Sequence, residues 1–197
     1  MRNSFSTLPR RALCPGSARM EANLPERTSD DATSGTLIHR AIHDGENSPA
    51  YRALGEEERE LAKACLDLIS EDYYAMWKEF WLEVPNITSG TADLVTLKDE
   101  NALVVDWKTG HEPFPAMAYL QLEAQMAGVL YAFPHVETVS GGLFNPRTKQ
   151  ELRIELQRSE LKAVTDKLEK ILDAASAPNA PLNPSAEACK YCKALAT

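Results

Sequence analysis

The segment Val104-Val105-Asp106-Trp107-Lys108-Thr109-Gly110 carries the most pointed chemistry in the chain. Side chains alternate along a strand, so Asp106 and Lys108 project to one face. Leu103, Val104 and Val105 just ahead of them read as a buried strand. An acid and an amine at the end of such a strand are costly unless something uses them. A second acid, Asp93, lies in Gly90-Thr91-Ala92-Asp93-Leu94-Val95, and only the polar turn Lys98-Asp99-Glu100-Asn101 separates the two runs. That spacing predicts an antiparallel hairpin that brings Asp93 and Asp106 together. Two carboxylates in one pocket repel, and an oxygen-seeking cation such as Mg²⁺ or Mn²⁺ relieves the repulsion. The cation polarises a phosphoryl oxygen and acidifies water, while a lysine beside it orients that water and stabilises developing negative charge. These are the parts of phosphodiester hydrolysis. Standing alone, an Asp-x-Lys pair on a strand is more often a surface ion pair, so the order of the surrounding motifs must decide.

The elements that position these residues follow from pattern. Residues 1–33 read as irregular, with Cys14-Pro15-Gly16-Ser17 as a turn and a short helix over Ala18–Asn23. Thr33 or Ser34 caps a helix that carries His39 and His43. Residues 56–79 read as one long helix, with Glu56, Glu57 and Glu58 in the first turn and an apolar stripe through Leu61, Ala64, Cys65, Leu68 and Ile69. Strands are expected at Phe80–Val84, Gly90–Leu97 and Ala102–Lys108. A helix over Ala116–Ala132, strands at Thr138–Phe144 and Glu151–Leu156, and an amphipathic helix over Arg158–Ala175 follow. A Pro/Ala/Asn stretch at 176–186 leads to a last segment holding Cys189 and Cys192. This order predicts an α/β (α+β) fold, a central mixed sheet flanked by helices. Tyr73, Tyr74, Trp77, Phe80 and Trp81 could stack on bases, but helical spacing assigns them to the core.

Bulk properties set limits. At 197 residues, 44% hydrophobic and 25% charged, the chain suits one soluble domain that needs no disulfide staples. A net charge of −8 argues against a protein that coats nucleic acid with a broad basic surface. It leaves room for an acidic metal site that handles nucleic acid locally. No run approaches the roughly 20 apolar residues of a membrane span, and the polar start through Arg11 lacks a signal-peptide core. A cytoplasmic protein is expected, whose four cysteines are thiols or metal ligands.

The combination Gly-Thr-Ala-Asp93, Val-Val-Asp106-Trp-Lys108-Thr-Gly and Tyr119-Leu120-Gln121-Leu122 resembles the RecB-type branch of the PD-(D/E)XK nucleases. The branch includes CRISPR-adaptation nucleases and phage exonucleases. It also carries a histidine in a Gly-Thr-x-x-His context, matched by Gly35-Thr36-Leu37-Ile38-His39. The resemblance runs from about Cys14 to Cys192 and implies a restriction-endonuclease-like core forming a single domain over 1–197. It implies that His39, Asp93, Asp106 and the backbone carbonyl of Trp107 bind Mg²⁺ or Mn²⁺, and that Lys108 is the catalytic lysine. Gln121 contacts the water or the scissile phosphate, and Glu83 falls where relatives often have an acid. A tyrosine that relatives place four positions after the glutamine is replaced here by Gln125.

The resemblance further implies that Cys14, Cys189 and Cys192 supply three ligands of a [4Fe–4S] cluster, packing the segments 1–33 and 177–197 together. The fourth ligand is missing, and Cys65, on an apolar helix stripe, reads as core. The implied activity is DNA hydrolysis, as an exonuclease on an end or a single strand in recombination, repair or phage DNA processing. The implied setting is bacterial or phage-encoded, alone, as a homo-oligomer or with a recombination partner. Arg10, Arg11, Arg19, Arg40, Arg147 and Lys149 are candidate phosphate contacts, each also readable as a solvated charge. The competing reading is a catalytically silent module that binds DNA or a nuclease partner. Degenerate relatives lose an acid or the lysine, and none is lost here. A zinc site on His39 and His43 is a further alternative, but Arg40 stands where the zincin pattern needs glutamate.

Overall fold

A long hairpin is the frame on which the rest is laid. The structure is a computed structural model that describes residues 4–25, 30–69, 72–190 and 192–196. Parts of three expected elements lie outside those residues: 1–3 and 26–29 of the N-terminal segment, 70–71 of the expected 56–79 helix, and 191 and 197 of the C-terminal segment. Five strands, β1 (Ala75–Val84), β2 (Thr88–Lys98), β3 (Asn101–Trp107), β4 (Thr138–Asn145) and β5 (Gln150–Gln157), lie side by side in sequence order. β3 and β4 are parallel and the other neighbours antiparallel, which gives the mixed sheet that the order of elements predicts. Asp99 enables the tight turn between β2 and β3 with a positive φ of 54°.

The helices are α1 (Leu8–Leu13), α2 (Ser17–Glu21), α3 (Asp30–Asp44), α4 (Pro49–Ala53), α5 (Glu56–Leu66), α6 (Tyr119–Ala132), α7 (Leu161–Ser176) and α8 (Ala186–Cys189). α6 is the crossover that a parallel strand pair requires. It is buried almost all round, from Leu120 to Leu130. Its Gly128 has no room for a side chain, because a Cβ there would come within 2.9 Å of Leu82 Cβ. The main core packs α6, α7 and α1 against one sheet face through Leu82, Val95, Val104, Leu122, Val139 and Leu168. A second core on the other face joins α3 and α5 to the sheet through Ile38, Ile42, Leu61, Cys65, Leu94, Val105 and Trp107.

Two expectations need correction. The expected helix over 56–79 ends at Leu66, and an extended strand starts at Ala75. The run Met76–Val84 is rich in aromatic and branched residues that suit a pleated surface. Its ladder with β2 spans almost the whole strand, and Trp77 and Phe80 stack against Phe133 at centroid distances of 5.1 and 5.8 Å. Tyr74 and Trp81 stay exposed. The second correction concerns α3, which begins by Asp30, so Thr33 and Ser34 lie inside it rather than capping it. The Ser34 hydroxyl donates instead to Glu58 on α5 at 2.9 Å.

The two chain-end segments meet. Gly16 N–H donates to the Pro181 carbonyl at 2.8 Å, and Lys193 N–H donates to Glu21 at 3.0 Å. Beneath this junction the buried Arg11 donates to Ser17 at 2.8 Å and to Glu21 at 3.0 Å. Among the described residues no helix is long and apolar enough to cross a membrane.

Candidate active site

β2 and β3 pair as far as Leu94 opposite Val105 and then part. Asp93 sits in the fork. Its Oδ2 accepts from the Trp107 backbone N–H at 2.6 Å, replacing the ladder bond lost there. Its Oδ1 lies 3.2 Å from His39 Nδ1.

α3 delivers His39 because both of its ends are tied. Lys78 on β1 donates to the Ile42 and His43 carbonyls at 2.9 and 3.3 Å, satisfying acceptors that a helix C-terminus leaves open. At the other end Gly35 meets Thr109, where a Cβ would stand 3.3 Å from the hydroxyl. Between these ties Ile38, Ala41 and Ile42 are buried. Thr109 is held in turn: its carbonyl accepts from Arg147 at 3.3 Å, while Asn145 donates to the Gly110 carbonyl at 3.0 Å.

Glu79 completes this half of the site. It falls opposite Asp93, between the pairs Lys78–Leu94 and Phe80–Ala92. Its φ of 52° is left-handed, which costs a non-glycine residue about 1–2 kcal/mol. Donor atoms of His39, Glu79 and Asp93 all lie within 4.8 Å of one another. Burial pushes the Glu79 pKa up, and the Asp93 charge pushes it further. For His39 burial alone would lower the pKa, but the hydrogen bond and charge of Asp93, with Asp106 and Glu79 behind it, hold it above the ordinary value. One imidazole and two crowded carboxylates in a negative spot fit a divalent cation well.

Asp106 and Lys108 form the other half, on the α6 side of the sheet. Asp106 is 4% exposed. Its Oδ1 accepts from Gln121 Nε2 at 2.5 Å and from Gln125 Nε2 at 3.0 Å. Its Oδ2 lies 2.5 Å from Lys108 Nζ, and Lys108 also donates to Gln121 Oε1 at 3.0 Å. Asp106, Lys108 and Gln121 thus close a ring of three. Burial raises the Asp106 pKa and Asp93 adds to it, against the pull of Lys108. The two halves therefore feel each other across the fork.

Of the expected ligands, the structure brings His39 and Asp93 together and places Asp106 outside their cluster, engaged by the lysine and two glutamines. Trp107 gives its N–H to Asp93, and its indole N–H is buried with no hydrogen-bond partner among the described residues. Glu83 is not brought in. It is exposed opposite Ser89, four residues and about 14 Å along β1 from Glu79. His43 Nδ1 lies 2.7 Å from Asp44 Oδ1, and the donor atoms gathered around His39 are those of Glu79 and Asp93.

Two residues escaped the sequence reading. Glu79 falls at the end of the expected 56–79 helix. Its left-handed φ of 52° lets Lys78 and Glu79 both turn to the α3 side while Trp77 and Phe80 pack on Phe133, an irregularity that no alternation in the sequence announces. Gln125 was visible as a departure from the resemblance. It is 0% exposed and donates to the Thr91 carbonyl at 3.2 Å as well as to Asp106, while its own Oε1 finds no partner among the described residues.

The first half-site opens into a cleft of about 540 Å³ lined by Gly35, Thr36, His39, Arg40, His43, Glu79 and Asp93. Of the candidate phosphate contacts, Arg40 lines this cleft, tethered to Asp44 at 2.6 Å. Arg10 and Arg11 hold Glu21, Arg19 donates to the Pro178 carbonyl, Arg147 pairs with Glu57, and Lys149 takes a positive φ in the turn before β5. Cys14 is buried and its sulfur accepts from Asn183 N–H at 3.3 Å, while Cys189 and Cys192 are half-buried on the facing segment. Cys65 is a core residue whose thiol burial pushes up to about 12.

Over residues 22–196 the sequence matches the family described as the PD-(D/E)XK nuclease superfamily. No curated protein matches it. Among solved structures, a Eubacterium rectale protein named for a presumed exonuclease activity superposes with a TM-score of 0.52 at 11% identity, over 88% of this chain and 79% of that one. A phage-related exonuclease from Haemophilus somnus 129PT gives a TM-score of 0.38 at 15% identity, over 89% of this chain and 92% of the other. The first of these shares the fold.

Proposed function

The chain belongs to the PD-(D/E)XK nuclease superfamily, and from that premise we propose that it is a Mg²⁺- or Mn²⁺-dependent deoxyribonuclease of the RecB-type branch, acting as an exonuclease on DNA ends. The observation that carries the proposal is the fork between β2 and β3, which sets a three-ligand cluster beside an Asp–Lys–Gln ring.

His39, Glu79 and Asp93 would hold the cation, with Asp106 and the Trp107 carbonyl as the further ligands that the resemblance implies. When bound, the ion supplies polarisation of a phosphoryl oxygen and activation of a water. Lys108 keeps its ammonium at the rim of the site, 28% exposed, where it can meet a phosphate oxygen as charge develops. Gln121 fixes that amine from one side while its amide N–H fixes Asp106. Arg40, with a side chain 67% exposed at the cleft mouth, is placed to receive a flanking phosphate. No step requires Cys14, Cys189 or Cys192. Recombination, repair or phage DNA processing is the context that the branch suggests.

The test is incubation of linear and closed circular DNA with Mg²⁺, Mn²⁺ or EDTA, alongside Asp93→Asn and Lys108→Met. The expected result is loss of linear DNA only with metal, and in neither variant. Degradation that persists in EDTA, or unchanged in both variants, overturns the proposal.

A further inference from the structure

The indole of Trp81 is largely exposed, two residues along β1 from Glu79 of the cation cluster. Trp77 and Phe80 are spent on the core through Phe133, whereas Trp81 is 59% exposed. Along β1, Leu82 and Val84 face the main core, so Trp81 and Glu83 face the opposite side of the sheet. Glu79 turns to that same side to meet His39 and Asp93. α3 is tied over this side at Lys78 and beside Thr109. Past Glu79 the β1–β2 hairpin runs on, and Trp81 with its register partner Thr91, both exposed, lies on the stretch next to the cluster. One pleat, about 7 Å between Cα atoms, separates Trp81 from Glu79.

We propose that Trp81 is a stacking platform for the nucleobase adjoining the scissile phosphate, and that it makes the site select DNA whose terminal nucleotide is unpaired. This inference rests on the nuclease function proposed above and adds its substrate discrimination. A phosphate drawn to the cluster brings its nucleoside within reach of a residue one pleat away. A flat π-surface takes any base but takes it only out of the duplex stack, so frayed ends and single strands gain the contact and a blunt duplex forgoes it. The surroundings favour a base over a phosphate. Glu79 and Glu83 flank Trp81 on the same face, and no phosphate contact is available from either carboxylate.

The chain has three tryptophans, and the other two are partly or fully buried, so quenching of the exposed indole reports on Trp81. The experiment titrates the full chain, in Ca²⁺, with a twelve-nucleotide oligothymidylate, the same oligomer built of abasic residues, and a blunt duplex, using wild type, Trp81→Ala and Trp81→Phe. The expected result is quenching by oligothymidylate, weaker quenching by the other two, and none in either variant. By fluorescence anisotropy Trp81→Ala should weaken oligothymidylate binding about fivefold to a hundredfold, the range for one stacked base, while Trp81→Phe stays within about threefold. Binding of the abasic oligomer should be the same in all three proteins, which a mere folding defect would not produce. Equal loss on abasic and normal strands, or oligothymidylate binding without quenching, overturns the inference. Wild-type failure to bind oligothymidylate while still degrading DNA in Mn²⁺ overturns it and spares the nuclease assignment, whereas failure to degrade any DNA removes that assignment itself.

Discussion

Replacing Gln125 by methionine should separate the site from the fold. The side chain is fully enclosed, and methionine nearly preserves its volume, so overpacking and cavity costs stay small. Two hydrogen bonds are lost. The one to the Asp106 carboxylate is worth about 1.5–3 kcal/mol and the one to the Thr91 carbonyl about 0.5–1.5 kcal/mol. Against this, the substitution removes the Oε1 that has no partner among the described residues, which relieves about 1–3 kcal/mol of unmet desolvation. The net cost to stability is about 1–2 kcal/mol, a drop in melting temperature of a few degrees for a chain of this size. The cost to function is larger. Gln125 joins the backbone just before the fork to the acid on β3, and removing such a supporting bond typically lowers metal affinity or activity about 10- to 100-fold. Thermal melts, Mn²⁺ titration of nuclease rate and Mn²⁺ binding by calorimetry measure the three effects. A methionine variant with wild-type Mn²⁺ affinity and rate would refute the claim that Gln125 positions Asp106. A variant that fails to fold would refute the near-cancellation of its bonds.

Other outcomes follow from the same geometry. Glu79→Gln should cut metal affinity and DNA cleavage by about two orders of magnitude, while Glu83→Gln, exposed and remote, should leave both within twofold of wild type by the same assays. Asp106→Asn should abolish cleavage yet raise the melting temperature in EDTA at neutral pH. Its carboxyl is raised above the ordinary value by burial, so the charged form destabilises the fold above the unfolded-state pKa, and the neutral amide lifts that penalty. His39 gives the opposite sign. Its folded pKa is raised, so the cationic form stabilises the metal-free chain below the ordinary histidine value, and that contribution is lost as pH rises through the raised one. The metal-free melting temperature of wild type should therefore fall over that interval and that of His39→Gln should not. Metal binding requires the unprotonated ring and should weaken as pH drops through the same interval.

Much of this was legible in the sequence because it rests on local pattern. Strand alternation and a four-residue polar turn fixed the β2–β3 hairpin, and the Asp-x-Lys spacing placed Asp106 beside Lys108. Gln121 sits one element later on a helix whose apolar run was clear, and it reaches both. What was not legible depends on non-local packing. Residues 70–79 carry no decisive period of their own, and β1 is extended because β2 offers it a ladder and Phe133 an aromatic stack. With Ala75–Glu79 read as the end of a helix and the strand begun only at Phe80, Glu79 could not be seen opposite Asp93, and Glu83, where the resemblance implies an acid, was the expected one. The parting of β2 and β3 after Leu94 was equally invisible, since it consists of one carboxylate capturing one backbone N–H. Asp106 faces α6 by regular alternation with Val104, while the parting lets Asp93 turn to meet His39 from α3.

The most direct measurement is an anomalous difference map from a crystal of the chain soaked in Mn²⁺. A single strong peak bounded by His39, Glu79 and Asp93, at about 2.0–2.3 Å from their donor atoms, is the predicted result. An ion bound elsewhere, or none there at saturating Mn²⁺, would contradict it.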